Sequence, residues 1–451
     1  MFKVKEILAA TRGKLISADS GVSLKGVSLD SRSVKKNEIF IALKGDNFDG
    51  HDFILPAIRR GAGCVVARRF PRLAKSQKTV LIKVNDTRKA LGDIAAYHRR
   101  RFDLPFIAVT GSNGKTTAKD MIAWVLSAKY RVLKNEGTRN NQIGLPMALL
   151  GLNRSHEAAV LEIGSNHFGE VQYLADIYRP NIGIITNIGL SHLEHFKSLS
   201  GVFREKYSLI KRLSAPYLAI LNRDDDFLRS SVIAKGKSPF TVGFACRANS
   251  DFKASNIKYA TGGLEFRVNR QEKLFLATFG RHNIYNGLIT VAVARILGMT
   301  YRDIAARLAR FDFPPGRLKL VRRGAARFFD DSYNSNPFSL KEALRTLADF
   351  PAAGRKIFIM GDMLELGKSR KDFHRQAGRD AAAVCDVFIT VGRLSRLAAE
   401  AARQSSGRTK DIFLCADTKE AAKVLFERVV PQSRDIVLIK GSRAMKMEEI
   451  L

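Results

Sequence analysis

The sequence predicts an α/β fold with mainly parallel sheets, divided among three domains. Strand-like apolar runs alternate with helical patterns over most of the chain, the signature of α/β layers. The 451 residues are about three times the ~150 of an average domain. A glycine-rich loop also sits between a buried strand and a helix, where doubly wound domains place their ligands. Hydrophobic residues at 45% and charged residues at 26% are globular usage and exclude disordered, collagen-like and coiled-coil classes. No apolar run approaches the ~18 residues of a membrane-spanning helix. The start, Met1 to Glu6, leads into mixed polar sequence without a signal-peptide apolar stretch. No membrane insertion is expected.

Two breaks divide the chain. The basic, proline-containing stretch 99–105 precedes a clear strand, Phe106–Thr110, and Phe313-Pro314-Pro315-Gly316 stops a helical pattern. The expected domains are therefore 1–103, 104–313 and 314–451. In the second, the loop follows Phe106–Thr110 and a helix begins near Ala118. Further strands are expected at 158–161, with Glu162 at its end, and at 181–189, and a helix at 201–211. In the third, apolar runs at 328–329, 356–360, 387–391 and 436–439 alternate with helical stretches, the doubly wound pattern.

Lys and Arg outnumber Asp and Glu by 76 to 43, a net +33 that raises the question of a polyanionic partner. The basic residues are scattered in short clusters such as Arg68-Arg69 and Arg322-Arg323. There is no basic tail, no paired Cys/His set and no aromatic RNP strand, so no nucleic acid is expected. A surface that attracts phosphorylated small molecules explains the charge as well. Cys64, Cys246, Cys385 and Cys415 stand alone, without a C-x-x-C pair, and read as small core residues in a reducing cytosol.

The chemistry concentrates in Thr110-Gly111-Ser112-Asn113-Gly114-Lys115-Thr116-Thr117. Glycine lets backbone approach phosphate oxygens, and a helix N-terminus supplies free N–H donors and positive dipole. Lys115 is expected to reach the β- and γ-phosphates of ATP, and the Thr116 hydroxyl to ligate Mg²⁺. The longer G-x-x-x-x-G-K-[ST] spacing is not met, because position 109 is Val. The plain alternative is a Gly-Lys-Thr turn; the strand–loop–helix setting favours phosphate. Glu162 and His192 follow strands and emerge at the same sheet edge, where they and Thr116 could converge on a metal. Read singly, each is a strand-end polar residue with local hydrogen bonds, and imidazole is an unusual Mg²⁺ ligand.

The short loop G-x-x-G-K-[ST]-[ST] resembles that of the Mur ligase family of ATP-dependent amide-forming enzymes. Further motifs resemble the family in order along nearly the whole chain. They include Gly137-Thr138-Arg139-Asn140-Asn141-Gln142, Glu162-Ile163-Gly164-Ser165-Asn166-His167, Thr186-Asn187-Ile188-Gly189-Leu190-Ser191-His192 and Gly280-Arg281-His282-Asn283-Ile284-Tyr285-Asn286. Asp330-Asp331-Ser332-Tyr333-Asn334-Ser335-Asn336-Pro337, Gly361-Asp362-Met363-Leu364-Glu365-Leu366-Gly367 and Lys440-Gly441-Ser442-Arg443 complete the set. The resemblance implies a UDP-sugar-binding domain, a central ATPase domain and a C-terminal Rossmann-like domain. It implies the joining of D-alanyl-D-alanine to UDP-N-acetylmuramoyl-tripeptide, with ATP and Mg²⁺, by a monomer.

Residue roles follow from the same resemblance. Gly111, Ser112, Asn113, Gly114, Lys115, Thr116 and Thr117 hold phosphate. Thr116, Glu162, His192 and Lys206 hold metal, Lys206 as a CO₂ carbamate, although its flanks lack the small residues often found beside the family lysine. Asn283 and Asn286, one helical turn apart, serve the adenine; Arg317 and Asp331 reach phosphate and ribose when the domains close. Asp30-Ser31-Arg32 and the stretch with Lys44, Gly45, Asp49, Gly50 and His51 resemble uridine-diphosphate elements; unaided they are turns. Asn140 and Asn141 face the sugar–peptide, where Thr138 replaces the Asn common in relatives. Asp362, Glu365, Lys440, Ser442 and Arg443 hold the incoming dipeptide and substrate carboxylate. Relatives that add a free diamino acid carry Asp-Asn-Pro-Arg, absent here, and folylpolyglutamate synthetases lack the 361–367 element.

Overall fold

The computed structural model describes residues 2–17, 21–72, 78–231, 239–243 and 250–451. Cys246 lies outside the described residues; Cys64, Cys385 and Cys415 are buried.

Three main sheets follow one another along the chain. The first orders its strands Lys14–Leu15, Val80–Lys83, Cys64–Ala67, Ile39–Ile41 and Val27–Ser28, parallel except at the Lys14–Leu15 edge. A two-stranded antiparallel ribbon, Phe2–Lys3 with Ser23–Leu24, lies beside it in the chain. The nine-stranded second sheet runs from Val132–Lys134 through Ala158–Glu162, Phe106–Thr110, Ile182–Ile185, Leu218–Asn222, Pro239–Gly243 and Phe252–Ala260. These seven are parallel, and Gly263–Val268 and Glu272–Leu276 extend the sheet antiparallel. The third orders Lys319–Arg323, Ala326–Asp331, Ile436–Lys440, Lys356–Gly361, Val387–Val391 and Asp411–Cys415, with only the first pair antiparallel.

Strands buried on both faces explain the near-continuous apolar runs. All five residues of Phe106–Thr110 are buried, and their side chains alternate between layers. Ile107 and Val109 pack with Ala118, Met121 and Ile122 of the helix Lys115–Leu126. Phe106 and Ala108 pack with Val171 and Leu174 of the helix Glu170–Tyr178 on the opposite face. Each such aliphatic side chain taken from water contributes about 1.5–3 kcal/mol, so a charged residue at Val109 would unseat the strand. The same alternation in the third sheet sends Phe358 and Met360 to one core and Ile357 and Ile359 to another.

This topology positions the site. Phe106–Thr110 has Ala158–Glu162 on one side and Ile182–Ile185 on the other, so their outgoing loops diverge and open a crevice at the strand ends. The third sheet repeats this around Lys356–Gly361, flanked by Ile436–Lys440 and Val387–Val391.

The structure departs from the sequence expectations in several elements. The helix after the loop starts at Lys115 rather than near Ala118, because left-handed Gly114 turns the chain straight into it. The strand expected over 181–189 stops at Ile185, since the following residues turn to brace the loop. Lys319–Arg323, Asp411–Cys415 and the antiparallel strands after 260 were not anticipated. Lys319–Arg323, Asp411–Cys415 and Glu272–Leu276 are polar or half-exposed edge strands, and Gly263–Val268 alternates apolar and charged residues, so none carries the buried-run signal.

Candidate active site

Gly111 and Gly114 adopt φ of +141° and +79°, a region that side chains avoid. A Cβ on Gly111 would stand 2.0 Å from Thr186 Oγ1, so the loop lies directly against the turn after Ile182–Ile185. That turn holds it from several sides. Thr186 Oγ1 donates to Asn113 O at 2.6 Å, Asn113 N donates to Asn187 Oδ1 at 3.0 Å, and Ser112 Oγ donates to Gly189 O at 2.9 Å. Thr116 and Thr117 open the helix and are buried.

Thr116 is the junction. Its hydroxyl donates to Glu162 Oε2 at 2.7 Å and accepts from Arg317 Nη2 at 3.2 Å. Glu162 Oε1 accepts from Asn140 Nδ2 at 2.6 Å. Burial holds the Lys115 ammonium below the ordinary lysine value, opposed by Glu162 and reinforced by Arg317; Lys115 Nζ rests on Ser112 O at 3.3 Å. A phosphate brought here would replace that weak contact with full charge neutralisation.

Lys206 is buried on the helix Leu199–Lys211 and donates to Ser165 Oγ at 2.7 Å. Burial, aided by the Lys115 charge, pushes its amine down to about 7. His192 is held from the third sheet's side of the cleft. In a left-handed turn (φ +49°), its Nδ1 pairs at 2.7 Å with Glu365 from the third sheet's loop. That hydrogen bond holds the Glu365 carboxyl below its usual value.

A cleft of about 960 Å³ runs between the second and third sheets. Ser112 to Thr117, Asn140, Glu162, His192, Asn283, Asn286, Arg317, Asp331, Glu365, Lys440, Ser442 and Arg443 all line it. Asn286 Nδ2 donates to Asn283 Oδ1 at 2.9 Å on the helix Asn283–Ile296, so the two amides act as one unit. From the third sheet, Arg317 lies 3.9 Å over the Tyr333 ring, and Asn336 Nδ2 donates to Asn113 Oδ1 at 2.7 Å. Lys440 is ion-paired with Asp331 and also donates to Asn334 O at 3.0 Å. Burial raises the Asp331 carboxyl in spite of that partner. The Asp331 expected at the ribose is thus engaged by Lys440.

Known proteins match along the same layout. The Mur ligase family, catalytic domain model matches residues 23–99, the Mur ligase middle domain 109–294 and the Mur ligase, glutamate ligase domain 316–443. The UDP-N-acetylmuramoyl-tripeptide–D-alanyl-D-alanine ligase of Escherichia coli (strain K12) is 36% identical over 97% of this chain and 95% of its own. The chain belongs to the Mur ligase family. Among solved structures, a MurF from Acinetobacter baumannii superposes with a TM-score of 0.89 at 31% identity, covering 100% of this chain and 97% of that one. A MurF ligase from Thermotoga maritima in complex with ADP gives 0.84 at 27% identity, covering 94% and 96%.

Other expected residues of this Mur ligase lie away from the cleft lining. Asp362 is buried and accepts from the backbone N and hydroxyl of Ser395, capping the helix Ser395–Arg403 instead of presenting its carboxylate to a ligand. Asn141 likewise caps the helix Gly144–Leu150, accepting from Gly144 N at 2.9 Å. Ser31 and Arg32 lie in a turn where Arg32 grips Asp30 in a two-point ion pair, which holds the Asp30 carboxyl down to about 2. Lys44 bridges to Asp49 around the Gly45 turn. Beyond Gly50, His51 pairs with Asp49 at 2.6 Å and accepts from Arg68 N at 3.1 Å. Neither turn reaches the cleft. The sequence reading missed Tyr333 and Asn336 as cleft residues, although both lie inside a quoted motif. It also missed His282, which burial pushes down to about 4, reinforced by the Lys440 charge.

Proposed function

We propose that this Mur ligase joins D-alanyl-D-alanine to UDP-N-acetylmuramoyl-tripeptide while ATP becomes ADP and phosphate. The observation that carries the reading is the meeting at Thr116, where a phosphate-loop hydroxyl, a strand-end carboxylate and an arginine from the third sheet touch. Full-length similarity to relatives named for this reaction supports it. A carboxylate resists amine attack because its leaving group is poor. Transfer of the γ-phosphoryl group to the tripeptide carboxylate makes an acyl phosphate; the dipeptide amine then attacks the carbonyl carbon and phosphate leaves. Phosphoryl transfer depends on positioning and charge neutralisation, which Lys115 and Arg317 supply. Lys440, Ser442 and Arg443 hold the dipeptide carboxylate across the cleft, beside Glu365. Asn283 and Asn286 hold the adenine.

The donors present fit Mg²⁺. Thr116 offers a hydroxyl and Glu162 a carboxylate, hard oxygen ligands of the kind Mg²⁺ takes alongside phosphate oxygens and water. Among the described residues no group of three His, Cys, Asp or Glu forms a closed metal cage. When bound, Mg²⁺ supplies neutralisation of phosphate charge. Lys206, with its amine pushed down to about 7, holds enough neutral form to take up CO₂ as a carbamate and become an anionic oxygen donor. His192 serves as a further ligand or, through Glu365, as a clasp on the closed cleft. Uridine diphosphate is held by the Ser31–Arg32 and Lys44–His51 turns. The domains span 1–103, 104–313 and 314–451, and the enzyme works as a cytosolic monomer without nucleic acid.

The test is ADP release with the UDP-linked tripeptide and each candidate acceptor, with and without added nucleic acid. D-Alanyl-D-alanine should support release and free lysine or diaminopimelate should not, because a site pairing its polar groups with a dipeptide leaves them unpaired otherwise. Preference for a free diamino acid would move the protein to the sister activity.

A further inference from the structure

Lys119 takes no part in the mechanism above, yet it is a lysine with 0% exposure, one turn beyond Lys115 on the phosphate-loop helix. Its Nζ donates to Asn135 O at 2.7 Å and Gly137 O at 3.1 Å, and lies 3.3 Å from the Asp120 carboxylate. Asn135, 1% exposed, turns the other way. Its Oδ1 accepts from Glu162 N at 2.9 Å, and its Nδ2 donates to Glu162 O at 3.3 Å and Arg139 O at 2.9 Å. The same loop ends at Asn140, whose side chain grips the Glu162 carboxylate. One ammonium therefore ties the helix that opens at the phosphates to the loop that fixes both the backbone and the side chain of Glu162. Burying a lysine costs free energy unless its donors are satisfied. Here burial holds the amine below the ordinary lysine value, so an apolar residue would pack there at less cost if packing were the whole role.

We propose that Lys119 is a positioning residue that sets Glu162 and Asn140 relative to the phosphate loop, and so aligns the sugar–peptide carboxylate with the nucleotide. The substrates named rest on the ligase reading, which wild-type turnover tests separately. Lys119→Met should leave the affinity for a non-hydrolysable ATP analogue within about threefold, since the loop glycines and Lys115 are untouched. It should raise KM for the UDP-linked tripeptide and lower kcat about tenfold each, a tenfold change in kcat being ~1.4 kcal/mol of barrier. Lys119→Arg keeps the charge but replaces the compact ammonium with a longer, planar guanidinium in a fully buried place, and should fall between wild type and the methionine variant; it also supplies the comparison should the methionine variant not fold. The proposal is overturned if either folded variant keeps wild-type KM and kcat. Equal weakening of nucleotide and tripeptide together with a lowered Tm would likewise overturn it, as a merely structural role.

Discussion

At the phosphate loop, backbone and hydroxyl groups are held by residues 73 to 77 positions away, from Thr186 to Gly189. At the amino-terminal turns, residues two positions apart hold one another: Arg32 on Asp30 and His51 on Asp49. The first region is braced by neighbouring strands before any ligand arrives. The second rests mainly on local turns, with the Arg32 side chain 88% exposed, and the His51 turn adds a longer tie, to Arg68 N. A braced site stabilises charge as it develops, because its dipoles need not reorganise; an exposed local turn offers ground-state binding. Substitutions at the loop should therefore lower kcat, and those at the turns should raise KM.

Lys115→Ala should have the largest effect, a loss of about a thousandfold or more in kcat, or ~4 kcal/mol of barrier. The side chain fills no core layer, so Tm should stay near wild type. Turnover within about tenfold of wild type would break the contrast at its strongest point. Arg317→Lys comes next. It keeps a charge but forfeits the planar stack on Tyr333 and the reach to Thr116. Steady-state kinetics should show kcat down about tenfold to a hundredfold with nucleotide KM little changed; a pure KM effect would place Arg317 with the binding turns. At the other region, Arg32→Ala should raise KM for the UDP-linked substrate severalfold, leave kcat intact, and shift stability by less than ~0.5 kcal/mol. A parallel fall in kcat would erase the distinction.

A further effect bears on stability rather than turnover and is read through pH. In the unfolded chain Lys206 keeps its proton up to about 10.5, whereas the folded amine loses it near 7. Between those values the unfolded state binds more protons, so raising pH through this window stabilises the fold. Denaturant titrations should show that contribution in wild type and not in Lys206→Met. Identical pH slopes for the two proteins would mean that Lys206 is not held deprotonated by its site.

Local signals were readable in the sequence, and long-range ones were not. The strand, glycine loop and Gly-Lys-Thr-Thr of 106–117 announce themselves because each depends on neighbours in the chain. So do the buried runs of the third sheet. The Arg317–Thr116 bond joins residues 201 positions apart and the Asn336–Asn113 bond 223. Only the family resemblance anticipated Arg317 there, and nothing anticipated Asn336. Asp362 shows the opposite failure. The family resemblance implied a ligand contact for this carboxylate, and the fold spends it on a helix cap. Lys119 and Asn135 escaped because a lysine on a helix reads as solvated and an asparagine in a loop as a turn.

The central claim is that the cleft activates a carboxylate by passing it a phosphoryl group. Heavy oxygen placed in the carboxylate of the UDP-linked tripeptide tests this most directly, by mass analysis of the phosphate released with D-alanyl-D-alanine present. Transfer of one labelled oxygen into each phosphate is the result expected from an acyl phosphate. Unlabelled phosphate formed alongside the ligated product would mean that the nucleotide is hydrolysed by water, and would contradict the account.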